Sequence, residues 1–211
     1  MSVKYLNDTQ IIFWDFDGVI KDSVEVKSVA FGQLFSSFGR GIKKKIINHH
    51  KMNGGMSRFD KLPIYIKWTE QKSTQEMVDD YSAKFSTLVR QKVIDSQWVP
   101  GVLNYLSSNH NKQKFFLVTA TPQLEIEEIL FELDIYDHFE QIIGSPTVKG
   151  ESIKMLLDKY KVDIKRAVMV GDSKSDYEAA ILNNIQFVLR KTELNKSLQS
   201  WLNCQMIDNF L

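Results

Sequence analysis

Cys204 is the only cysteine in 211 residues. One thiol builds neither an intramolecular disulfide nor a cysteine-based zinc site, and such a chain suits a reducing compartment. Charge of one sign is missing too. Lysine plus arginine number 27 against 26 acids, a formal net charge of +1, so no broad field draws the chain to nucleic acid or to an acidic membrane. The run Lys43-Lys44-Lys45 reads as a solvated helix face. The apolar run before Asp15 is only four residues long, Ile11 to Trp14. That is too short for a signal peptide or a membrane span, so a cytoplasmic location is expected. Histidine is scarce, at 4 residues, and none has the local signature of a catalytic base; His49 and His50, adjacent on a helix, would point different ways. Proline is also scarce, at 4, and there is no internal repeat or low-complexity tract. What remains is the composition of an ordinary globular protein, 43% hydrophobic and 25% charged. Its length suffices for one α/β core and a smaller appendage.

The stretch that organises the rest is Ile11-Ile12-Phe13-Trp14-Asp15-Phe16-Asp17-Gly18. Large apolar residues run into two carboxylates one residue apart and then a glycine, the pattern of a buried strand with a charged carboxyl end. Like charges side by side at such a place repel, and are tolerated mainly where a cation or a reaction needs them. Taken alone, an aspartate-rich turn closed by Gly18 explains the motif as well.

From about Ser23 to Val99 no strand pattern occurs. Phe31, Phe35 and Phe38 recur at helical spacing. Ser57 can cap a helix carrying Phe59, Leu62 and Ile66 that Pro63 should kink, and Ser73-Thr74-Gln75-Glu76 has the form of a capping box. Asp95 to Gly101 reads as a hinge. Strands and helices then alternate. Strands are expected at Phe115 to Val118, Gln141 to Gly144, Ala167 to Val170 and Phe187 to Leu189, with Pro122 at the first position of one helix. Alternation of this kind implies an α/β fold, a Rossmann-like parallel sheet with helices on both faces. The expected division is a core of residues 1–22 and 100–211 and an inserted helical cap of residues 23–99.

A parallel sheet gathers its strand ends, and in open α/β sheets ligands sit there. The ends expected to converge carry Asp15 and Asp17, Thr119 with Ala120, Lys149, and Asp172 with Asp176. Each type has a task in phosphoryl transfer. Asp15, Asp172 and the Asp17 carbonyl offer hard oxygens to Mg²⁺. The Asp15 carboxylate can attack phosphorus and form an aspartyl phosphate, with Asp17 as general acid and base. Thr119 and the backbone N–H groups after it can hold phosphoryl oxygens, Lys149 can offset their charge, and Asp176 can orient Lys149 or a metal-bound water. Singly, Thr119 reads as a helix start, Lys149 as a surface lysine and Asp176 as a helix first-turn acid. Jointly, those readings fail, because all four elements fall at strand ends or helix starts in the order the mechanism wants.

The chain resembles the haloacid dehalogenase superfamily of hydrolases, in the branch with a helical cap after the first strand, similar to phosphoglycolate phosphatases and β-phosphoglucomutases. Asp15-Phe16-Asp17-Gly18-Val19 matches the first motif, Thr119 the second, Lys149 the third, and Asp172 with Asp176 the fourth. The resemblance extends to Lys21-Asp22-Ser23, Pro100-Gly101-Val102 and Gly144-Ser145-Pro146. It implies an Mg²⁺-dependent phosphatase of a small phosphorylated metabolite. Asp17 sets aside the dehalogenase and phosphonatase reactions, whose members lack an acid there. Gly55-Met56-Ser57-Arg58 resembles a cap loop in which the arginine reaches the substrate, so Arg58 is expected to bind it. Two rivals stand beside this reading. A receiver-type signalling module has a similar inventory in a different order. A β-phosphoglucomutase-like mutase would carry a histidine ten residues after Asp17, where this sequence has Lys27.

Overall fold

The computed structural model describes residues 4–161 and 163–211. After a single helical turn, α1 (Lys4–Asn7), comes β1 (Ile11–Trp14). Four helices follow without a strand between them: α2 (Val24–Leu34), α3 (Arg40–Met52), α4 (Arg58–Trp68) and α5 (Gln75–Ile94). The chain then alternates through α6 (Val102–Asn109), β2 (Lys114–Pro122), α7 (Gln123–Glu132), β3 (Gln141–Ser145) and α8 (Lys149–Tyr160). It ends with β4 (Ala167–Gly171), α9 (Lys174–Leu182), β5 (Gln186–Arg190), α10 (Lys196–Trp201) and β6 (Gln205–Ile207).

Among the described residues these strands form one six-stranded sheet in the order β3-β2-β1-β4-β5-β6, with every pairing parallel. Every residue of β1 is buried, as expected for a central strand covered on both faces, which explains its unbroken apolar run. Alternate residues feed opposite cores. Ile12 and Trp14 pack with α6 and α7, while Ile11 and Phe13 pack with α8 and α9.

The register sets the functional edge. Trp14 lies between Leu117 and Val170, so Asp15, Thr119 and Asp172 leave the sheet side by side.

The strand-free segment has its own aromatic packing: Phe31 stacks on Phe85 with centroids 3.9 Å apart, and Phe35 on Tyr81 at 4.7 Å. Its two connections to the sheet run antiparallel and are bonded to each other, Asp22 N–H to the Gln97 carbonyl (2.8 Å) and Val99 N–H to that of Ile20 (3.0 Å). The expected hinge is therefore a paired two-stranded neck.

Three details differ from the pattern in the sequence. Pro63 does not break α4, because Leu62, Tyr65 and Ile66 bury themselves around it and that packing outweighs one missing N–H. Strand β2 runs on past Val118 to Pro122, which caps α7 rather than opening it. Strand β6 has three residues and no apolar alternation to announce it.

Candidate active site

Asp15 is buried at the carboxyl end of β1, its backbone N–H bonded to the Val170 carbonyl. Its Oδ1 lies 2.9 Å from Lys149 Nζ at the start of α8. The same ammonium contacts Asp176 Oδ1 at 2.5 Å, and the other Asp176 oxygen accepts from the Ser173 N–H and hydroxyl. Carboxylate oxygens of Asp15, Asp172 and Asp176 all lie within 4.8 Å of one another. Gly18, at φ +79°, makes room for this cluster, since a Cβ there would stand 2.1 Å from Asp172 Oδ2.

Three carboxylates sharing one ammonium leave excess negative charge. Burial, then repulsion from Asp176, push the Asp15 carboxyl up to about 7 despite Lys149. Burial, then Asp15 and Asp176, raise Asp172 well above the ordinary carboxylate range. Hard oxygen donors crowded in this way fit a divalent cation, which would relieve the repulsion. Lys149 responds in the opposite sense: burial alone would lower it, but Asp15 and Asp176 hold it above the usual lysine value.

Asp17 is turned to a different group of partners. Ser23 donates to its Oδ1 (2.6 Å), while Lys27 Nζ (2.5 Å) and Thr121 Oγ1 (3.2 Å) reach its Oδ2. Lys27 also donates to Thr121 Oγ1 (2.8 Å). Burial would raise the Asp17 carboxyl, but the charge and hydrogen bonds of Lys27, with those of Ser23 and Thr121, hold it below the ordinary value. Thr119 is buried where β2 loses register with β3, and its hydroxyl accepts from the Thr121 N–H (3.2 Å), leaving its own proton to donate.

These groups share one cavity with the helical segment. Asp15, Asp17, Thr119, Ala120, Lys149 and Asp172 line one side; Lys27, His50, Arg58 and Lys61 line the other. Free space amounts to about 30 Å³, room for one or two waters. The segment is seated directly on the sheet edge: a Cβ on Gly55 would fall 1.9 Å from Ser175 Oγ, so a larger residue there would have to displace the Ser173 and Ser175 hydroxyls. Across the cavity Arg58 and Glu125 of α7 form a buried bidentate ion pair, and Ser86 bonds both.

All eight residues expected from the sequence are thus near this edge, with Asp176 behind Lys149. Arg58 lines the cavity, but Glu125 and Ser86 already occupy its fork. Lys27, Lys61 and His50 were not among the expected site residues. Their signal was a polar residue on a buried helix stripe: Lys27 falls between Val24 and Phe31, and Lys61 between Arg58 and Tyr65.

Comparison with known proteins agrees with this architecture. A family model described as haloacid dehalogenase-like hydrolase matches residues 11–189. A phosphorylated carbohydrates phosphatase of Thermotoga maritima is 27% identical over 182 residues, covering 81% of this chain and 80% of the relative. A phosphoglycolate phosphatase of Vibrio parahaemolyticus is 27% identical over 187 residues, covering 82% and 79%. Among solved structures, CbbY of Rhodobacter sphaeroides in complex with phosphate superposes with a TM-score of 0.73 at 14% identity, covering 96% of this chain and 95% of that one.

Proposed function

The chain belongs to the haloacid dehalogenase-like hydrolase family, and on that premise we propose that it is an Mg²⁺-dependent phosphatase of a small phosphorylated metabolite, acting through an aspartyl phosphate. The observation that carries the reading is the buried cluster of Asp15, Asp172 and Asp176 around Lys149, with oxygens within 4.8 Å. The cluster carries a surplus of negative charge that a divalent cation would offset, and perturbed carboxylates of this kind gather at functional sites.

In this reading Asp15, Asp172 and the Asp17 carbonyl would hold Mg²⁺, whose charge would offset that on the phosphoryl oxygens. The Asp15 carboxylate attacks phosphorus, an acyl-phosphate bond from Asp15 oxygen to phosphorus forms as the bond from phosphorus to the substrate's ester oxygen breaks, and that oxygen leaves with a proton from Asp17. Asp17, again ionised, takes a proton from water as that water attacks phosphorus, releasing phosphate and restoring Asp15. The Thr119 hydroxyl, the N–H of Ala120 and Lys149 face the remaining phosphoryl oxygens. Asp176 positions Lys149. Residues 23–99 act as a cap over a core of 1–22 and 100–211, excluding water when seated as here. Any contact of Arg58 with substrate uses the part of its fork that Glu125 leaves free.

Phosphatase is favoured over mutase because the cation ten residues after Asp17 is bonded to Asp17 itself, rather than free to shuttle protons to a sugar. The purified protein should release phosphate from p-nitrophenyl phosphate with Mg²⁺ and cease with excess chelator. It should also release phosphate from β-glucose 1-phosphate, with a trace of 1,6-bisphosphate, faster than it forms glucose 6-phosphate. Metal-independent turnover overturns the metal assignment, and faster isomerisation overturns the phosphatase.

A further inference from the structure

Each cation in the cavity wall has an acidic partner except one. Lys149 is paired with Asp15 and Asp176, Lys27 with Asp17, and Arg58 with Glu125. Lys61 of α4 is 1% exposed, yet among the described residues no carboxylate lies within ion-pair distance of its Nζ. Its hydrogen bond is a long one, 3.4 Å to the Gly54 carbonyl, and the Phe31 ring centroid is 5.9 Å away. An ammonium has three donors, and burying it without an anion is costly. Apolar packing does not explain the choice, since methionine or leucine would fill the same volume without the charge.

The group beside it is chosen to suit. His50 also lines the cavity, and its Nδ1 is 3.0 Å from Ser28 Oγ, whose own proton goes to the Val24 carbonyl (2.9 Å). His50 Nδ1 therefore donates to Ser28, and the ring is neutral with Nε2 as an acceptor. Burial, then the charge of Lys61, hold it far below the usual histidine value. Burial, then Lys27, likewise push Lys61 down to about 7 against the pull of Asp17.

Resting on the phosphatase reading, we propose that Lys61 is the seat of a second anionic group on the substrate, remote from the transferred phosphoryl group. The substrate class is then a short phosphate monoester that also carries a carboxylate or a second phosphate. Such an anion would complete the hydrogen bonding of Lys61 and remove its isolated charge. The floor of the cavity takes the phosphoryl group and Lys61 in the roof takes the other end, so substrates lacking that end forgo a charge-assisted contact.

The test compares kcat/KM on two matched pairs: 2-phosphoglycolate against 2-hydroxyethyl phosphate, and 1,3-propanediol bisphosphate against its monophosphate. The wild type should prefer the anionic member of at least one pair by roughly 10- to 100-fold, the scale of a hydrogen bond to a charged group. The pair showing the preference identifies the anion. Lys61→Met, close in volume, should collapse the preference toward unity, and Lys61→Arg should retain most of it; Lys61→Gln serves if the methionine variant does not fold. A structural role would lower both members of a pair together and leave the ratio intact. Turnover of p-nitrophenyl phosphate with no preference in either pair overturns the role of Lys61 alone, as does a preference that survives Lys61→Met. No turnover of p-nitrophenyl phosphate or any of the four overturns the phosphatase reading and this inference with it.

Discussion

On the sheet side of the cavity three carboxylates share the single ammonium of Lys149, whereas the helical side offers Lys27, Arg58 and Lys61 and no acid of its own. The two sides are held differently as well. Strand ends fix the acids through backbone register, with Asp15 beside the end of β4, while Lys27 of α2 and Arg58 of α4 reach across to partners on the sheet side. Acids on a rigid edge suit chemistry that needs placement to fractions of an ångström. If residues 23–99 act as the proposed cap, cations on it suit recognition, because they would make their contacts only when it is seated. The acidic side lacks a cation, and the basic side lacks an anion at Lys61.

The sharpest way to break this comparison is at the acidic side. Asp15→Asn should lower phosphate release by at least about 10⁴-fold, as loss of a covalent nucleophile does. The metal-free variant should melt no lower than wild type, because one of three crowded charges has gone while Lys149 keeps Asp176. Substantial turnover in a folded Asp15→Asn variant would remove the covalent step. A large drop in melting temperature would make the cluster a structural network.

Lys27→Met probes the place where the two sides touch. Lys27 lowers the Asp17 carboxyl, which favours the ionised form that water attack needs over the protonated form that the leaving oxygen needs. Without the lysine the Asp17 carboxyl rises, so where water attack limits turnover the acidic limb of the pH profile should move to higher pH. Stability follows the same sign. A carboxyl lowered in the folded state stabilises the protein above its unfolded value and loses that contribution as pH falls through the folded one. The deficit of Lys27→Met should therefore be full at pH 7 and shrink toward pH 3. Lys27→Arg should keep the wild-type profile. An unmoved limb in Lys27→Met would mean that the lysine does not govern Asp17.

The two sides also differ in how far the sequence reveals them. Asp15, Asp17, Thr119, Lys149 and Asp172 follow from topology, since an apolar run that ends in a polar residue marks a strand end, and a parallel sheet collects such ends. Asp176 comes with them because it lies four residues after Asp172. The roof obeys no such rule. Lys27 and Lys61 resemble solvated helix residues until the packing of α2 and α4 shows that their stripes face inward. Glu125 was hidden for another reason: it pairs with a residue 67 positions away, and helical periodicity carries no information about partners at that range. The neck at Asp95 to Gly101 was legible as a hinge but not as a paired one, its pairing with the segment around Asp22 being likewise long-range.

The smallest effect tests whether the two bodies are held together by charge. Arg58 on α4 and Glu125 on α7 are both nearly buried and bonded through two oxygens, with Ser86 of α5 joining them, so separating the cap from the core breaks the pair. Glu125→Gln keeps the shape and a hydrogen-bonding oxygen but removes the charge. Charge-assisted hydrogen bonds exceed neutral ones by about 1 kcal/mol, equivalent to roughly fivefold in the equilibrium between seated and unseated cap. If substrate binds by way of the seated form and that form is the minor one in the free protein, KM should rise by up to that factor, because an affinity is reduced by the fraction of competent protein. Proteolysis at the neck around Asp22 and Gln97 should accelerate in step. A buried pair that served only the fold would give a different result: a lower melting temperature with KM unchanged. Unchanged KM and unchanged proteolysis together would show that the aromatic packing and the Gly55 contact, rather than this ion pair, keep the roof on the floor.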